Sequence, residues 1–276
     1  MSDVFRGGVA IVTGASRGIG EQIALRLAGV GARLVLAARR PDELERVAAS
    51  CRRAAIAAGR AADGDVITVP TDVAEPPQCQ RLVARALEAF GAVDMLVNNA
   101  GLGMWARVDQ VLDLGVFERV MRVNYFGAVH CAVHALPHLK NSGGRIVCVS
   151  SLAGRTGVPL RSGYAASKHA MAGFFDSLRI ELRGSGVTVT LVDPGFVGTG
   201  SQGKNLSGDG TPVGTCPIDA AAVMTPHECA RITVAAAASR KREVVIGARG
   251  RLGLWLKLIA PETVDRIAAR AIARGS

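Results

Sequence analysis

The segment Gly8-Val9-Ala10-Ile11-Val12-Thr13-Gly14-Ala15-Ser16-Arg17-Gly18-Ile19-Gly20 decides the fold. Its first five residues form a short apolar run, too short for the core of a secretion signal. The run leads straight into a glycine turn, so it reads as a strand. The glycines that follow permit a tight turn and let a pyrophosphate approach backbone N–H groups at the start of a helix. Gly14, Ser16, Arg17, Gly18, Ile19 and Gly20 are therefore candidate contacts to a dinucleotide. The plainer alternative is a glycine-rich turn that binds nothing.

Outward from this unit the same rhythm repeats. Apolar, β-branched runs at 8–13, 33–38, 66–70, 94–98, 144–150, 187–192 and 243–246 read as strands. Helical patterns of roughly 15 to 25 residues lie between them, the alternation that builds a parallel sheet. Pro41-Asp42-Glu43 and Glu75-Pro76-Pro77 supply proline and acids to first helical turns. The expected architecture is α/β, a single doubly wound domain over residues 1–250 with about seven parallel strands. Residues 198–217, rich in Gly, Ser, Thr and Pro, are too long for a plain connector and read as a mobile lid over a site. Residues 251–276 form an amphipathic C-terminal extension.

Composition narrows the function. At 276 residues and 49% hydrophobic content the chain can bury one sizeable core, and with 4% aromatics that core must be aliphatic. The six cysteines, at 51, 79, 131, 148, 216 and 229, include no CxxC pair, which points to reduced thiols in a cytoplasmic setting. No stretch is long and apolar enough to span a bilayer. The net charge of +10 raises nucleic acid as a partner, yet no basic run is interleaved with aromatics to stack on bases. From Arg231 onward ten Lys/Arg face three acids, so much of the charge is local to the tail.

A site selective for a dinucleotide without a 2′-phosphate would carry an acid near the end of the second strand, to hold the ribose hydroxyl. Here that stretch reads Ala37-Ala38-Arg39-Arg40. With Arg17, these arginines offer planar donors to a 2′-phosphate, so NADP(H) is expected over NAD(H), unless they are merely solvated. Further along, Tyr164-Ala165-Ala166-Ser167-Lys168 places a phenol and an ammonium one helical turn apart. A phenol ordinarily titrates near 10, so a neighbouring cation is needed before one can exchange protons near neutrality. Carbonyl reduction needs a proton donor opposite a hydride donor, and Tyr164 fits that role, with Ser151 able to stabilise charge on the substrate oxygen.

In this order the motifs resemble those of the short-chain dehydrogenase/reductase family, from about residue 7 to residue 250. They are TGASRGIG at 13–20, Asp72-Val73, Asn98-Asn99-Ala100-Gly101, Asn124, Ser151, YAASK at 164–168, and Pro194-Gly195 followed by Thr199. The resemblance implies a Rossmann domain in which Asp72 and Val73 frame an adenine and Asn99, Ala100 and Gly101 line the cofactor cleft. Pro194, Gly195 and Val197 would follow them, with Thr199 bonding the nicotinamide carboxamide. It also implies that Lys168 bonds the nicotinamide ribose and that Asn124 holds a water linking Lys168 to solvent.

The expected activity is therefore hydride transfer between NADP(H) and a carbonyl or secondary alcohol in an apolar substrate, touched by Met104, Trp105, Ser151, Val158, Leu160 and Phe196. A rival reading keeps the fold as a dinucleotide sensor or scaffold without turnover. Intact Ser151, Tyr164 and Lys168 count against it. His130, His134 and His138 share one helix face, but with no carboxylate to complete a metal set they read as surface or interface. Cys148, inside a strand, reads as core filler. A homodimer or homotetramer is expected. For the tail, a cap over the cleft or a subunit interface is preferred to peripheral attachment to a membrane surface through its apolar and basic residues.

Overall fold

The computed structural model describes residues 3–59, 64–200, 205–214 and 223–273. Seven parallel strands form one sheet: β1 (Val9–Thr13), β2 (Arg33–Ala38), β3 (Val66–Pro70), β4 (Met95–Asn98), β5 (Arg145–Val149), β6 (Thr188–Asp193) and β7 (Glu243–Val245). They stand in the order β3-β2-β1-β4-β5-β6-β7. Each lies within a residue or so of its expected position, because central strands covered on both faces are uniformly apolar and easily read. All five residues of β1 and all four of β4 are buried.

Two aliphatic layers cover the sheet. On one face α1 (Gly18–Gly29), α2 (Pro41–Ala57) and α7 (Pro226–Ala238) contribute Ile23, Leu27, Leu44, Val47, Cys229 and Val234. On the other, α3 (Pro76–Phe90), α5 (Gly127–Ser142) and α6 (Ser162–Glu181) contribute Leu82, Cys131, Leu139 and Phe175. Helix α4 (Gly115–Met121) runs into α5 through one π-type turn, Arg122–Phe126, which contains Asn124. Such turns re-aim side chains within a helix and recur at functional sites.

The strand order reverses between β1 and β4, so the connections leave in opposite directions and open a crevice at the C-terminal ends of these strands. Beyond β7 the tail forms α8 (Ala248–Ile259) and α9 (Pro261–Ala273). Helix α8 has no fully buried residue, and Leu252, Trp255, Leu258 and Ile259 are 69 to 83% exposed. Its opposite edge touches the body. Lys257 Nζ donates to Arg155 O at 2.8 Å, and a Cβ on Gly250 would lie 2.8 Å from Leu152.

Candidate active site

The glycine turn is built for close approach. Gly14 and Gly18 have φ of +64° and +59°, which side-chain-bearing residues rarely adopt. A Cβ on Gly20 would lie 2.3 Å from Gly14 O, so only glycine lets the helix sit against the turn. Arg17 precedes the first turn of α1 without a side-chain cap, so the N–H groups of that turn face the crevice unclaimed by a capping side chain. Thr13 Oγ1 accepts from Asn99 N and Ala100 N at 3.0 and 3.1 Å, and Asn99 Nδ2 donates to Thr13 O and Gly14 O. The Asn99 amide thus staples the β4 end to the glycine turn. Across the crevice Thr199 stands 2.9 Å from where a Gly18 Cβ would be. Asp72 Oδ1 accepts from Ala74 N, and Val73 is buried beneath this loop. This cradle of glycines, uncapped N–H groups and backbone clamps fits a dinucleotide.

Beside the glycine turn and the end of β2 the three arginines are not alike. Arg17 pairs with Glu43 at 3.1 Å, and Arg40 pairs with the same carboxylate. Arg39 is exposed. Arg46 holds Glu21 at 2.8 Å and reaches Ser16 O.

At the other end, Ser151 leaves β5 in extended conformation, and its Oγ accepts from Ala153 N at 3.1 Å, which leaves its proton to donate. Tyr164 and Lys168 sit one turn apart on α6. Lys168 is buried, its Nζ donates to Val149 O at 3.0 Å, and it lies 5.8 Å from the centre of the Tyr164 ring. Asn124, wholly buried, accepts from Leu102 N at 2.7 Å and donates to Leu102 O and Ser167 Oγ, both at 2.8 Å. Ser167 in turn donates to Tyr164 O at 2.7 Å. Both amide protons of Asn124 are therefore engaged, so a water near Lys168 would have to be held by its main-chain carbonyl and not by its side chain. The side chain's observed work is to lock the loop after β4 to the helix carrying Tyr164.

The expected substrate residues divide. Trp105 and Phe196 are half-buried and face each other at 6.5 Å between ring centres. Val158 and Leu160 are partly exposed, and Leu160 O accepts from Ala106 N at 2.8 Å. Met104 is fully buried among Val116, Val120 and Leu206, so it backs the wall instead of presenting surface. Pro194 O accepts from Leu152 N at 2.9 Å, and Gly198 N donates to Met224 O. Of the expected lid, 201–204 and 215–217 lie outside the described residues. Residues 205–214 are pinned: Leu206 exchanges backbone bonds with Gly103 and Trp105, and Gly208 O accepts from Leu112 and Asp113.

Two arginines were not legible as site residues. The Arg161 guanidinium lies 4.2 Å from the Tyr164 ring centre, 5.6 Å from Trp105 and 5.5 Å from Phe196. An arginine in a loop reads as surface until the fold closes three rings around it. Behind Ser151, Arg155 holds the fully buried Asp193 at 2.9 Å and Glu243 at 3.2 Å. Burial raises the Asp193 carboxyl above its ordinary value, with Arg155 opposing the rise. His130 Nδ1 meets Val73 O at 3.2 Å, and among the described residues no cluster of three or more His, Cys, Asp or Glu is placed to hold a metal. Cys51, Cys79, Cys131, Cys148 and Cys229 are buried, and burial pushes the Cys148 thiol up, which suits packing and not nucleophilic attack; Cys216 lies outside the described residues.

The fold and crevice define a dinucleotide-binding oxidoreductase of the doubly wound class. The sequence pattern of the short chain dehydrogenases matches residues 8–209. The 11-beta-hydroxysteroid dehydrogenase-like 4A protein of Arabidopsis thaliana is 38% identical over 95% of this chain and 83% of its own length. A short chain dehydrogenase/reductase from Burkholderia phymatum, solved in complex with NAD, superposes with a TM-score of 0.79, at 29% identity over 94% of this chain and 95% of that one. An alcohol dehydrogenase from Thermococcus sibiricus, complexed with 5-hydroxy-NADP, gives a TM-score of 0.71 at 28% identity over 87% and 95%. The chain belongs to the short-chain dehydrogenase/reductase family. It is an oxidoreductase of the CH–OH/C=O pair.

Proposed function

We propose that this enzyme transfers hydride between NADP(H) and a carbonyl or secondary alcohol of an apolar substrate, with Tyr164 moving the proton. What supports the reading is Lys168, buried and 5.8 Å from the centre of the Tyr164 ring, whose Nζ donates to Val149 O, two residues before Ser151 at the C-terminal end of β5. Bound nicotinamide supplies or accepts the hydride. Tyr164 donates a proton to the substrate oxygen on reduction and withdraws it on oxidation, Ser151 donates a hydrogen bond to that oxygen, and Lys168 keeps a positive charge one helical turn from the phenol. Asn124 keeps the Tyr164 helix and the loop after β4 in register. Trp105, Val158, Leu160 and Phe196 form the apolar wall, while Arg161 puts a cation at its edge. A panel of steroids, retinoids, fatty-acyl ketones, quinones and aromatic aldehydes, followed by nicotinamide absorbance, tests the reading. Tight cofactor binding without turnover across the panel would favour the sensor instead.

The NADP(H) preference rests on Arg17, Arg39 and Arg40 at the ribose end, with no acid at the end of β2. Arg39→Asp should weaken NADPH several-fold and leave NADH unchanged or tighter, because it removes a donor and adds a repelling charge. Titration of both cofactors checks this, and equal losses would remove Arg39 from the phosphate site.

We place the enzyme in the cytoplasm as a homo-oligomer. An apolar groove of about 480 Å³ lined by Met121, Tyr125, Phe126, Ala170, Phe174 and Ser177 supports association through the end of α4, the π-type turn and α6. No helix among the described residues is long and apolar enough to cross a membrane. For the tail, contact of α8 with Leu152 and Arg155 favours a cap beside the Ser151 loop. Deleting 251–276 should then raise KM for large apolar substrates or alter assembly, with NADPH binding nearly intact. If the exposed face of α8 instead rests on a membrane, the intact protein should sediment with anionic vesicles and release as salt rises.

A further inference from the structure

Glu43 occupies the first turn of α2, where a carboxylate is favoured by the partial positive charge of the helix N-terminus. It faces the glycine turn and pairs at once with Arg17, at 3.1 Å, and with Arg40. All three side chains are partly solvated, at 29 to 49% exposure, so a solute can reach them. Arg39, exposed, completes the group, and Arg46 nearby is committed to Glu21 and Ser16 O. Two of the three arginines that suit a 2′-phosphate thus share one carboxylate of this chain, which offsets one of their two charges.

We propose that Glu43 sets cofactor selectivity by competing with the 2′-phosphate for Arg17 and Arg40. The inference rests on the NADP(H) reading above. A 2′-phosphate brings about two negative charges to the place Glu43 holds. Binding NADP(H) must loosen two ion pairs and seat like charges side by side. Binding NAD(H) disturbs neither pair, so the carboxylate narrows the preference that the arginines create.

Glu43→Gln keeps the shape and removes the charge; Glu43→Ala removes both. Kd values for NADPH and NADH, read by nucleotide fluorescence on the full chain, are expected to show NADPH about five- to twentyfold tighter in both variants, as for two partly exposed pairs released to a new partner. NADH should stay within about a factor of two. NADPH that binds no tighter, or a parallel change for both cofactors, overturns the competition and makes Glu43 an orienting residue for the arginines. The wild-type Kd ratio separates the two readings. If wild type binds NADPH tighter than NADH while Glu43→Gln does nothing, the NADP(H) preference stands and the role of Glu43 fails; if wild type shows no such preference, the NADP(H) reading itself fails.

Discussion

Replacing Tyr164 by phenylalanine is expected to lower kcat by about 100-fold or more while the Kd for NADPH changes little. The substitution removes one oxygen and keeps the ring, so the stacking of Arg161 at 4.2 Å and the α6 backbone contacts survive. What is lost is the group proposed to exchange a proton with the substrate oxygen. Ser151 can donate a hydrogen bond but is a poor proton donor, and Lys168 is buried with its Nζ on Val149 O. Lys168→Ala should reduce both turnover and cofactor binding, the outcome the proposed bond to the nicotinamide ribose requires. Steady-state kinetics and a cofactor titration on the two variants check this. A Tyr164→Phe enzyme that kept more than about a tenth of kcat would remove Tyr164 from proton transfer.

The second large effect is on stability. Arg155→Ala should destabilise the protein by about 3 to 5 kcal/mol at neutral pH, because it strands the Asp193 carboxylate, wholly buried, without the guanidinium now 2.9 Å away. The loss should depend on pH with a definite sign. The native Asp193 carboxyl already titrates above its unfolded value, so its contribution is fully present below that value and declines as pH rises through the native one. Removing Arg155 raises the native value further. The gap between wild type and variant should therefore open as pH rises through the native Asp193 value, which lies above the unfolded value of about 4, and close in acid. Urea unfolding across pH measures it. Asp193→Asn in the Arg155→Ala background should recover most of the loss; no recovery would mean that Arg155 acts through Glu243 or through the Lys257 contact.

The sheet was legible because buried parallel strands are short apolar runs bounded by turn residues, and Val9–Thr13 or Arg145–Val149 admit no other reading. The motif residues were legible for a similar local reason: Gly14, Gly18 and Gly20 answer to backbone geometry, and Tyr164 with Lys168 to one helical turn. What sequence spacing does not carry is pairing across distance. Glu43 reads as a helix-start acid, yet the fold returns it to Arg17, 26 residues earlier. Arg161 and Arg155 read as loop arginines, yet one closes on three aromatic rings and the other reaches Asp193, 38 residues later. Asn124 carries a pairing that spacing likewise hides, since its side-chain amide bonds Leu102 O and Ser167 Oγ. Met104 passed for pocket lining because nothing local announces that Leu206 will cover it.

The most direct test of hydride transfer with Tyr164 as proton carrier is isotopic. NADPH carrying deuterium at the transferring position of the nicotinamide is mixed with enzyme and a carbonyl substrate found in the panel, and the alcohol is analysed by mass spectrometry. The deuterium, carried over as deuteride, is expected on the carbinol carbon of the product from the wild-type enzyme, with almost no labelled product from Tyr164→Phe although it binds the same cofactor. Product formed without the label, or labelled product formed equally well by the variant, would contradict the account.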